Sequence, residues 1–255
     1  MLKVKCLTVK RGGKTILNDI QTELSPHELV ALVGTNGQGK STFIEAISGI
    51  IKAEYGELSY NGKDIKAFSL KELSRIRTVL SQKIHLPFDI NVYDFLMLGL
   101  SQRKKLNEAD FASMDEMILK FELEDYLERS IQKLSGGEQQ RVVLAKTILQ
   151  LYPFKTNENA YLFLDEPLSA LDLKVQKQVI LILKELVRDF PLSIVIVMHD
   201  LNFAARYCDK IWVLADGKIQ VNASPKESLT CENIKNYFNI DVDISLKDDR
   251  PVIIY

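Results

Sequence analysis

The sequence predicts an α/β fold with a mostly parallel sheet, and three apolar runs carry that prediction. Leu29–Gly34, Ala160–Glu166 and Ser193–Asp200 are dense in Val, Ile and Leu and do not alternate with polar residues. Such runs are typical of strands that are covered on both faces. Apolar residues at helical spacing occupy Glu138–Tyr152 and Lys174–Phe190. Because strands alternate with helices in this order, parallel pairing is favoured.

Two other parts of the chain have a different pattern. The segments Leu2–Lys10 and Gly56–Ile65 alternate and turn like antiparallel strands, which predicts an N-terminal antiparallel β part. Residues 86–152 are expected to form consecutive helices without a strand, as an α-helical subdomain inserted into the core. The core would then comprise residues 1–85 and 153–255 of a single domain, and the tail ends in another strand-like run.

Composition excludes several classes of protein. The 255 residues are 46 % hydrophobic and 26 % charged, with a formal net charge of −1, which is the profile of a globular chain without the basic character of nucleic-acid binders. The three cysteines are far apart, so no disulfide framework or metal-binding spacing is indicated. The N-terminus has no apolar signal region, and the apolar run Leu192–Met198 is too short to cross a bilayer. A role at a membrane would therefore require another chain as the anchor.

The first strand-like run leads into a phosphate-binding pattern. Gly34, Gly39, Lys40 and Ser41 fit G-x-x-x-x-G-K-[ST], with a strand before and a helix after. Glycines allow backbone N–H groups to surround an anion, and the helix dipole adds to the attraction. Lysine would reach the outer phosphates and the serine hydroxyl would bind Mg²⁺. The alternative is a glycine-rich turn without a ligand; the pattern favours a P-loop NTPase core.

The other two runs end in polar residues. Ligands of open parallel sheets lie at the carboxyl ends of the strands, so Asp165, Glu166 and His199 would face the same crevice as Lys40. One carboxylate would hold Mg²⁺ and the other would polarise the attacking water, while the histidine would sense the γ-phosphate. A solvated acidic pair and a structural histidine are the alternatives. Gln82 could contact the metal or the water, although glutamine alone indicates little.

A second glycine-rich loop occurs at Lys133–Arg141. Ser135 and Glu138 form an S-x-x-E capping box, which by itself indicates only a well-started helix. The two glycines between them would also let the backbone approach an anion closely. Since the loop belongs to the helical insert, it would cap a nucleotide that is held by a second copy of the chain, in a symmetric pair.

In this order and spacing, the motifs "GTNGQGKST", "LSGGEQQR", "YLFLDEP", "SALD" and "VMHD" resemble those of the ATPase subunit of ABC transporters. The resemblance covers essentially the whole chain and implies ATP and Mg²⁺ as cofactors. It makes Glu166 the general base and His199 the switch residue, with Lys40 and Gln82 also in catalysis. The resemblance further assigns ATP binding to Arg11, Gly34, Thr35, Asn36, Gly37, Gln38, Gly39, Lys40, Ser41 and Thr42, metal binding to Ser41, Gln82 and Asp165, and contacts in trans to Ser135, Gly136, Gly137 and Asp172. Without the resemblance, Asp172 would be an ordinary aspartate at a helix N-terminus.

Two residues depart from the family pattern. Arg11 stands where an aromatic residue usually stacks on adenine, and no aromatic residue precedes Phe43. A guanidinium is planar and can stack on a purine, so Arg11 is expected to take this place. His27 stands where glycine is usual, which we interpret as a tolerated change in a turn.

Three further segments resemble those of bacterial importer ATPases for metal chelates, namely iron–siderophore, haem and cobalamin. This resemblance rests on "LPFDINVYDFLMLGL", "HDLNFAARYCDKIWVLADGKI" and "SPKESLTCENIKNYFNIDVDI". It implies a homodimer bound to two transmembrane permease subunits at the cytoplasmic face of the inner membrane, and an extracytoplasmic substrate-binding protein in the full system. Asp89–Leu98 would receive a helix of the permease, unless it is plain amphipathic packing. The alternative is a soluble ABC ATPase of iron–sulfur cluster assembly.

Overall fold

The computed structural model describes residues 1–81, 89–101, 103, 105–151 and 158–255, and all statements about structure refer to these residues. Within them the chain alternates between strands and helices along most of its length. The strands are β1 (Leu2–Arg11), β2 (Lys14–Leu24), β3 (Leu29–Val33), β4 (Glu57–Tyr60), β5 (Lys63–Asp64), β6 (Arg77–Leu80), β7 (Ala160–Leu164), β8 (Leu192–Val197), β9 (Lys210–Ala215), β10 (Lys218–Ala223), β11 (Asp243–Lys247) and β12 (Arg250–Ile254). The α-helices are α1 (Lys40–Ile47), α2 (Leu70–Ile76), α3 (Val92–Gly99), α4 (Glu108–Lys120), α5 (Gly136–Leu149), α6 (Leu173–Asp189), α7 (Leu201–Tyr207), α8 (Pro225–Ser228) and α9 (Cys231–Phe238).

The main sheet has the strand order β10-β9-β3-β8-β7-β6. All neighbouring strands in it run parallel except β10, which pairs antiparallel with β9. The three apolar runs form β3, β8 and β7, which lie side by side in the centre. The predicted α/β fold with a mostly parallel sheet is therefore confirmed.

Both faces of the central strands β3, β7 and β8 are buried, which explains why these three strands do not alternate. In β3, Leu29, Ala31 and Val33 belong to a core that is shared with α5 and α6. Val30 and Leu32 belong to a second core, which lies under α1 and the antiparallel sheet. Every position of the strand therefore needs an apolar side chain.

The antiparallel part is a second sheet with the order β2-β1-β4-β5. It confirms the antiparallel strands predicted near the N-terminus. Leu2 pairs with both Leu24 and Tyr60, so β1 is the central strand between β2 and β4. The turn between β1 and β2 contains Gly12 and Gly13. This sheet brings Arg11, the last residue of β1, into contact with Glu45 of α1.

Residues 89–151 contain the helices α3, α4 and α5, and no strand among the residues described there. α3 packs against α5, and Met114, Met117 and Ile118 of α4 are buried in the core that they share. The helices agree with the predicted helical insert. Its division from the core at residues 86 and 152 stays a prediction.

The C-terminal residues form a hairpin of β11 and β12 that is separate from both larger sheets. The Asn202 side chain of α7 donates to the Ile253 carbonyl oxygen at 3.0 Å and accepts from the Ile253 N–H at 2.7 Å. These two bonds fasten the hairpin to α7. In the part of the chain described, no helix combines the length and apolar character needed to cross a bilayer.

Candidate nucleotide-binding site

The phosphate-binding loop lies between the end of β3 and the start of α1, as the pattern predicts. Gly34 has φ +154°, and a Cβ at this position would overlap the Leu214 carbonyl oxygen of β9. Only glycine therefore allows the loop to leave β3 alongside its neighbour strand. The Gln38 side chain accepts a hydrogen bond from the Asp216 N–H at 2.8 Å, which fixes the loop from the same side.

Lys40 is the first residue of α1 and is buried. Its Nζ donates to the carbonyl oxygens of Gly34 at 2.8 Å and Thr35 at 3.0 Å, so the side chain folds back across the loop. Burial lowers the pKa of Lys40, and the negative charges of Glu166 and Asp165 partly offset this. The ammonium group is thus held by two carbonyl oxygens of the loop and lies within the electrostatic reach of two carboxylates; an anionic ligand would stabilise its charge further.

Asp165 follows β7 and its side chain is buried next to Ser41. Burial raises the pKa of this carboxyl group, while the Ser41 hydroxyl and Lys40 oppose the rise and the Glu166 charge adds to it. Its Oδ1 has no hydrogen-bond partner among the residues described. A buried carboxylate oxygen without a partner, beside a serine hydroxyl, is a donor set that fits Mg²⁺, which prefers oxygen ligands.

Glu166 and His199 contact each other directly. The Nε2 of His199 lies 2.7 Å from Oε1 of Glu166, so a proton on Nε2 would be donated to the carboxylate. Glu166 has φ +52°, a left-handed backbone conformation that is uncommon for glutamate and aims its side chain away from the strand direction. The Glu166 side chain is 17 % exposed and that of His199 46 %, so the pair is open on the histidine side.

Lys40, Ser41, Glu166 and His199 line one cavity of about 540 Å³, which Gly34, Gln38 and Asp165 do not line. The predicted residues that line it come from the end of β1, the loop between β3 and α1, the first turn of α1, and the segments that follow β7 and β8. They are Arg11, Asn36, Gly37, Gly39, Lys40, Ser41, Thr42, Glu166 and His199, together with Ile16. Thr35 contributes its carbonyl oxygen to Lys40.

The second glycine-rich loop is not part of that wall. Ser135 is exposed and caps α5: its hydroxyl accepts from the Glu138 N–H, and the Glu138 carboxylate accepts from the Ser135 N–H at 2.7 Å. The capping box predicted there is therefore present. Asp172 caps α6 by accepting from the Val175 N–H at 3.0 Å. These two loops meet, since a Cβ on Gly137 would lie 3.4 Å from the Ala170 carbonyl oxygen.

One predicted site residue has no described position, and two residues at the site were not predicted. Gln82 lies outside the described residues, so its contact with metal or water stays a prediction. Sequence reasoning did not identify Ile16 or Glu45, whose carboxylate accepts from Arg11 at 2.8 Å. Neither residue belongs to a sequence motif. Glu45 is an ordinary helix residue, and its approach to Arg11 depends on how two sheets and a helix pack.

His27 has φ +58° in the turn before β3, where the usual glycine would have no steric penalty. Its Nδ1 lies 2.9 Å from the Val187 carbonyl oxygen near the end of α6. The histidine thus makes a hydrogen bond that glycine cannot make, which explains why histidine is tolerated in place of the usual glycine.

Comparisons with known proteins agree with this geometry. The family model described as "ABC transporter" matches residues 17–169. A hemin import ATP-binding protein of Bordetella avium is 34 % identical over 244 residues, covering 95 % of this chain and 94 % of the relative. The protein of the same description from Hydrogenovibrio crunogenus is 34 % identical over 246 residues, covering 96 % and 95 %.

Solved structures share the fold. A chain described as a metal-chelate type ABC transporter in an inward-facing conformation has a TM-score of 0.79 at 22 % identity, and the match covers 100 % of this chain and 97 % of the other. A dimeric bacterial ABC transporter cassette has a TM-score of 0.75 at 24 % identity, covering 88 % and 98 %.

Proposed function

Because the chain belongs to the ABC transporter family of ATP-binding proteins, we propose that it hydrolyses ATP to power an importer for a metal chelate. Haem is the cargo class that the names of its relatives support. Iron–siderophores and cobalamin are the other chelates that we consider. The soluble alternative, iron–sulfur cluster assembly, has no support among these relatives.

The contact between Glu166 and His199, next to Lys40, carries this proposal. The loop N–H groups and the Lys40 ammonium bind the phosphates of ATP. The Glu166 carboxylate then accepts a proton from a water whose oxygen bonds to the γ-phosphorus, while the bond from the γ-phosphorus to the β–γ bridging oxygen breaks and ADP leaves. His199 turns its Nε2–H from Glu166 to a γ-phosphate oxygen. Ser41 and Asp165, with Gln82 by resemblance, would hold Mg²⁺, which neutralises charge on the phosphate oxygens when it is bound.

The exposure of the second glycine-rich loop supports the proposal that two chains form a homodimer. Ser135 and Gly136 are exposed at the start of α5, Gly137 is half-buried, and Asp172 caps α6 beside them. We infer that each loop closes on the nucleotide of the other chain, so that a homodimer holds two ATP molecules. Closure of the homodimer on ATP would alternate with hydrolysis, and this alternation would move the permease subunits of the transporter.

Transport needs other subunits. We propose that the homodimer binds two permease subunits from the cytoplasmic face of the inner membrane, and that an extracytoplasmic binding protein delivers the chelate. The segment from Asp89 to Leu98 is the proposed docking surface. Tyr93 and Leu98 in α3 are exposed apolar residues, which supports a contact there.

The first experiment is the substitution Glu166→Gln in the purified chain. ATP binding should be unchanged, whereas hydrolysis should fall at least about 100-fold because the base is lost. Glu54→Gln is the matched control, since it removes the same charge at an exposed position that does not line the cavity. Undiminished hydrolysis by Glu166→Gln would contradict the assigned role.

The cargo is tested in the assembled transporter. Haem, a ferric siderophore and cobalamin are offered separately to vesicles that contain the chain with its permease subunits. ATP-dependent uptake of one of them is expected, and Glu166→Gln should abolish it. Uptake of none would contradict chelate import while leaving the ATPase assignment intact.

A further inference from the structure

The backbone of the phosphate-binding loop is not fixed by the loop residues alone. Gly34, Gly37 and Gly39 have φ of +154°, +81° and +93°, and glycine has more accessible backbone conformations than any other residue. A segment with this freedom loses conformational entropy when it closes around a phosphate. Contacts that hold the empty loop in its binding shape would therefore increase its affinity for the ligand.

Two side chains fasten the loop, and only one of them can keep its contact when phosphate is bound. The Lys40 ammonium donates to the Gly34 and Thr35 carbonyl oxygens, but the same group is expected to reach the phosphates. Gln38 does not line the cavity, and its Oε1 accepts from the Asp216 N–H at 2.8 Å. A phosphate in the cavity would therefore compete with the contacts of Lys40 and leave that of Gln38 intact.

The partner of Gln38 belongs to the turn between β9 and β10. This turn consists of Asp216 and Gly217, which have φ of +51° and +71°, as is typical of an Asp-Gly hairpin turn. The ladder closes with the pair Ala215 and Lys218. The Asp216 N–H lies outside this ladder, so it is available to a side chain of the phosphate-binding loop.

The turn is itself held in place by the antiparallel sheet. The Asn18 N–H of β2 donates to the Gly217 carbonyl oxygen at 2.8 Å. A Cβ on Gly217 would lie 2.8 Å from the Ile16 carbonyl oxygen, so the turn packs closely against β2. Gln38 therefore ties the flexible loop to a point that the main sheet and the antiparallel sheet hold together.

We propose that Gln38 is a positioning residue, which holds the empty loop in its phosphate-binding shape through the Asp216–Gly217 turn. The inference rests on the proposed nucleotide site and assigns Gln38 an action through the loop backbone. Apparent affinity falls with the fraction of loops in the binding shape. Saturating ATP restores that shape, so loss of the contact should raise KM and change kcat little.

The principal variant is Gln38→Met, which keeps the length of the side chain and removes the amide. Calorimetry on the purified full chain measures binding of ATP and of inorganic tripolyphosphate. Both affinities should fall about fivefold, as expected for one lost hydrogen bond, because both ligands need the loop and neither effect involves the base. KM for ATP should rise by a similar factor, while kcat should change less than about twofold. Gln38→Ala should give the same result.

Hydrogen exchange of the Asp216 amide, followed by NMR, reports the contact directly. The amide should be protected in the wild-type chain, both without ligand and with tripolyphosphate, because the contact does not face the cavity. In Gln38→Met it should exchange at least about tenfold faster. A general loss of stability would not single out this amide, nor would it raise KM without lowering kcat.

Gln220→Met is the matched control. The Gln220 side chain donates to the Ala215 carbonyl oxygen at 3.1 Å, so this variant also removes one glutamine hydrogen bond from the β9–β10 hairpin. Since Gln220 does not line the cavity, both affinities and KM should stay at their wild-type values.

Three results would overturn the inference. Gln38→Met could bind both ligands within twofold of wild type, or kcat could fall while KM stays unchanged. The Asp216 amide could also exchange as fast in the wild-type chain as in the variant, and this measurement decides even if Gln38→Met does not fold. A wild-type chain that binds neither ATP nor tripolyphosphate would refute the nucleotide site, and the inference with it.

Discussion

Gly136→Asp separates the folding role of the second loop from its role towards a partner chain. Gly136 is the first residue of α5, and a Cβ built on it meets no atom within 4 Å. An aspartate in the first turn of a helix interacts favourably with the helix dipole. The free energy of unfolding should therefore change by no more than about 0.5 kcal/mol, as at other surface positions.

The effect on hydrolysis should be large if the loop closes on a nucleotide. Two unit charges about 5 Å apart repel by about 3 kcal/mol at an effective dielectric constant of about 20, which corresponds to roughly a hundredfold loss. The assay is steady-state phosphate release at saturating ATP, with thermal unfolding measured on the same sample. Wild-type turnover by Gly136→Asp would refute the reasoning.

Mixing two inactive variants tests whether the loop acts in trans. Lys40→Ala damages the phosphate loop, and Gly136→Asp damages the other loop. Random pairing of equal amounts makes half of the dimers mixed, and each mixed dimer has one site with neither defect. Turnover should recover to about one quarter of wild type if the two sites act independently. If each loop served its own chain, every site would carry a defect and the mixture would stay inactive.

Two further predictions concern stability. Asp165→Asn should raise the thermal unfolding midpoint of the nucleotide-free chain, because burial raises the pKa of this carboxyl group and its Oδ1 lacks a partner among the described residues. A raised carboxyl pKa lowers stability as the pH rises through the interval between the unfolded and folded values, so the gain should be present at pH 7 and vanish below that interval. His27→Ala should destabilise the chain by about 1 kcal/mol through the lost hydrogen bond to Val187, whereas His27→Gly should have a smaller effect because glycine adopts the positive φ without the strain that alanine keeps. Equal unfolding midpoints for the two His27 variants would contradict this.

The strand–loop–helix unit around Lys40 could be predicted from the sequence because its signals are local. The apolar run of β3, the glycines and the helical pattern of α1 are contiguous, so neighbouring residues alone restrict the backbone. The same holds for the capping box of Ser135 and Glu138. β7 and β8 were predicted for the same reason. The position of the polar residues that follow them was predicted from the rule that ligands of open parallel sheets lie at the carboxyl ends of the strands.

Three strands of the main sheet were not predicted. β6 has only four residues and was not predicted as a strand, although it forms one edge of the main sheet. β9 and β10 were not predicted as strands either, although β9 pairs with β3 and places the Leu214 carbonyl oxygen against Gly34. The four residues of β6 are too few to show a pattern. The apolar residues 211–215 of β9, followed by the Asp216–Gly217 turn, are a local hairpin signal that the prediction missed.

The sequence by itself determined which residues can bind phosphate and which strands can be buried, because backbone freedom, side-chain chemistry and hydrophobic periodicity are properties of neighbouring residues. The tertiary structure decided what those residues touch. Arg11 meets Glu45, Glu166 meets His199 and Gln38 meets Asp216 only after separate sheets and helices have packed. Long-range contacts arise from the burial of both sheet faces, and that burial depends on every element at once.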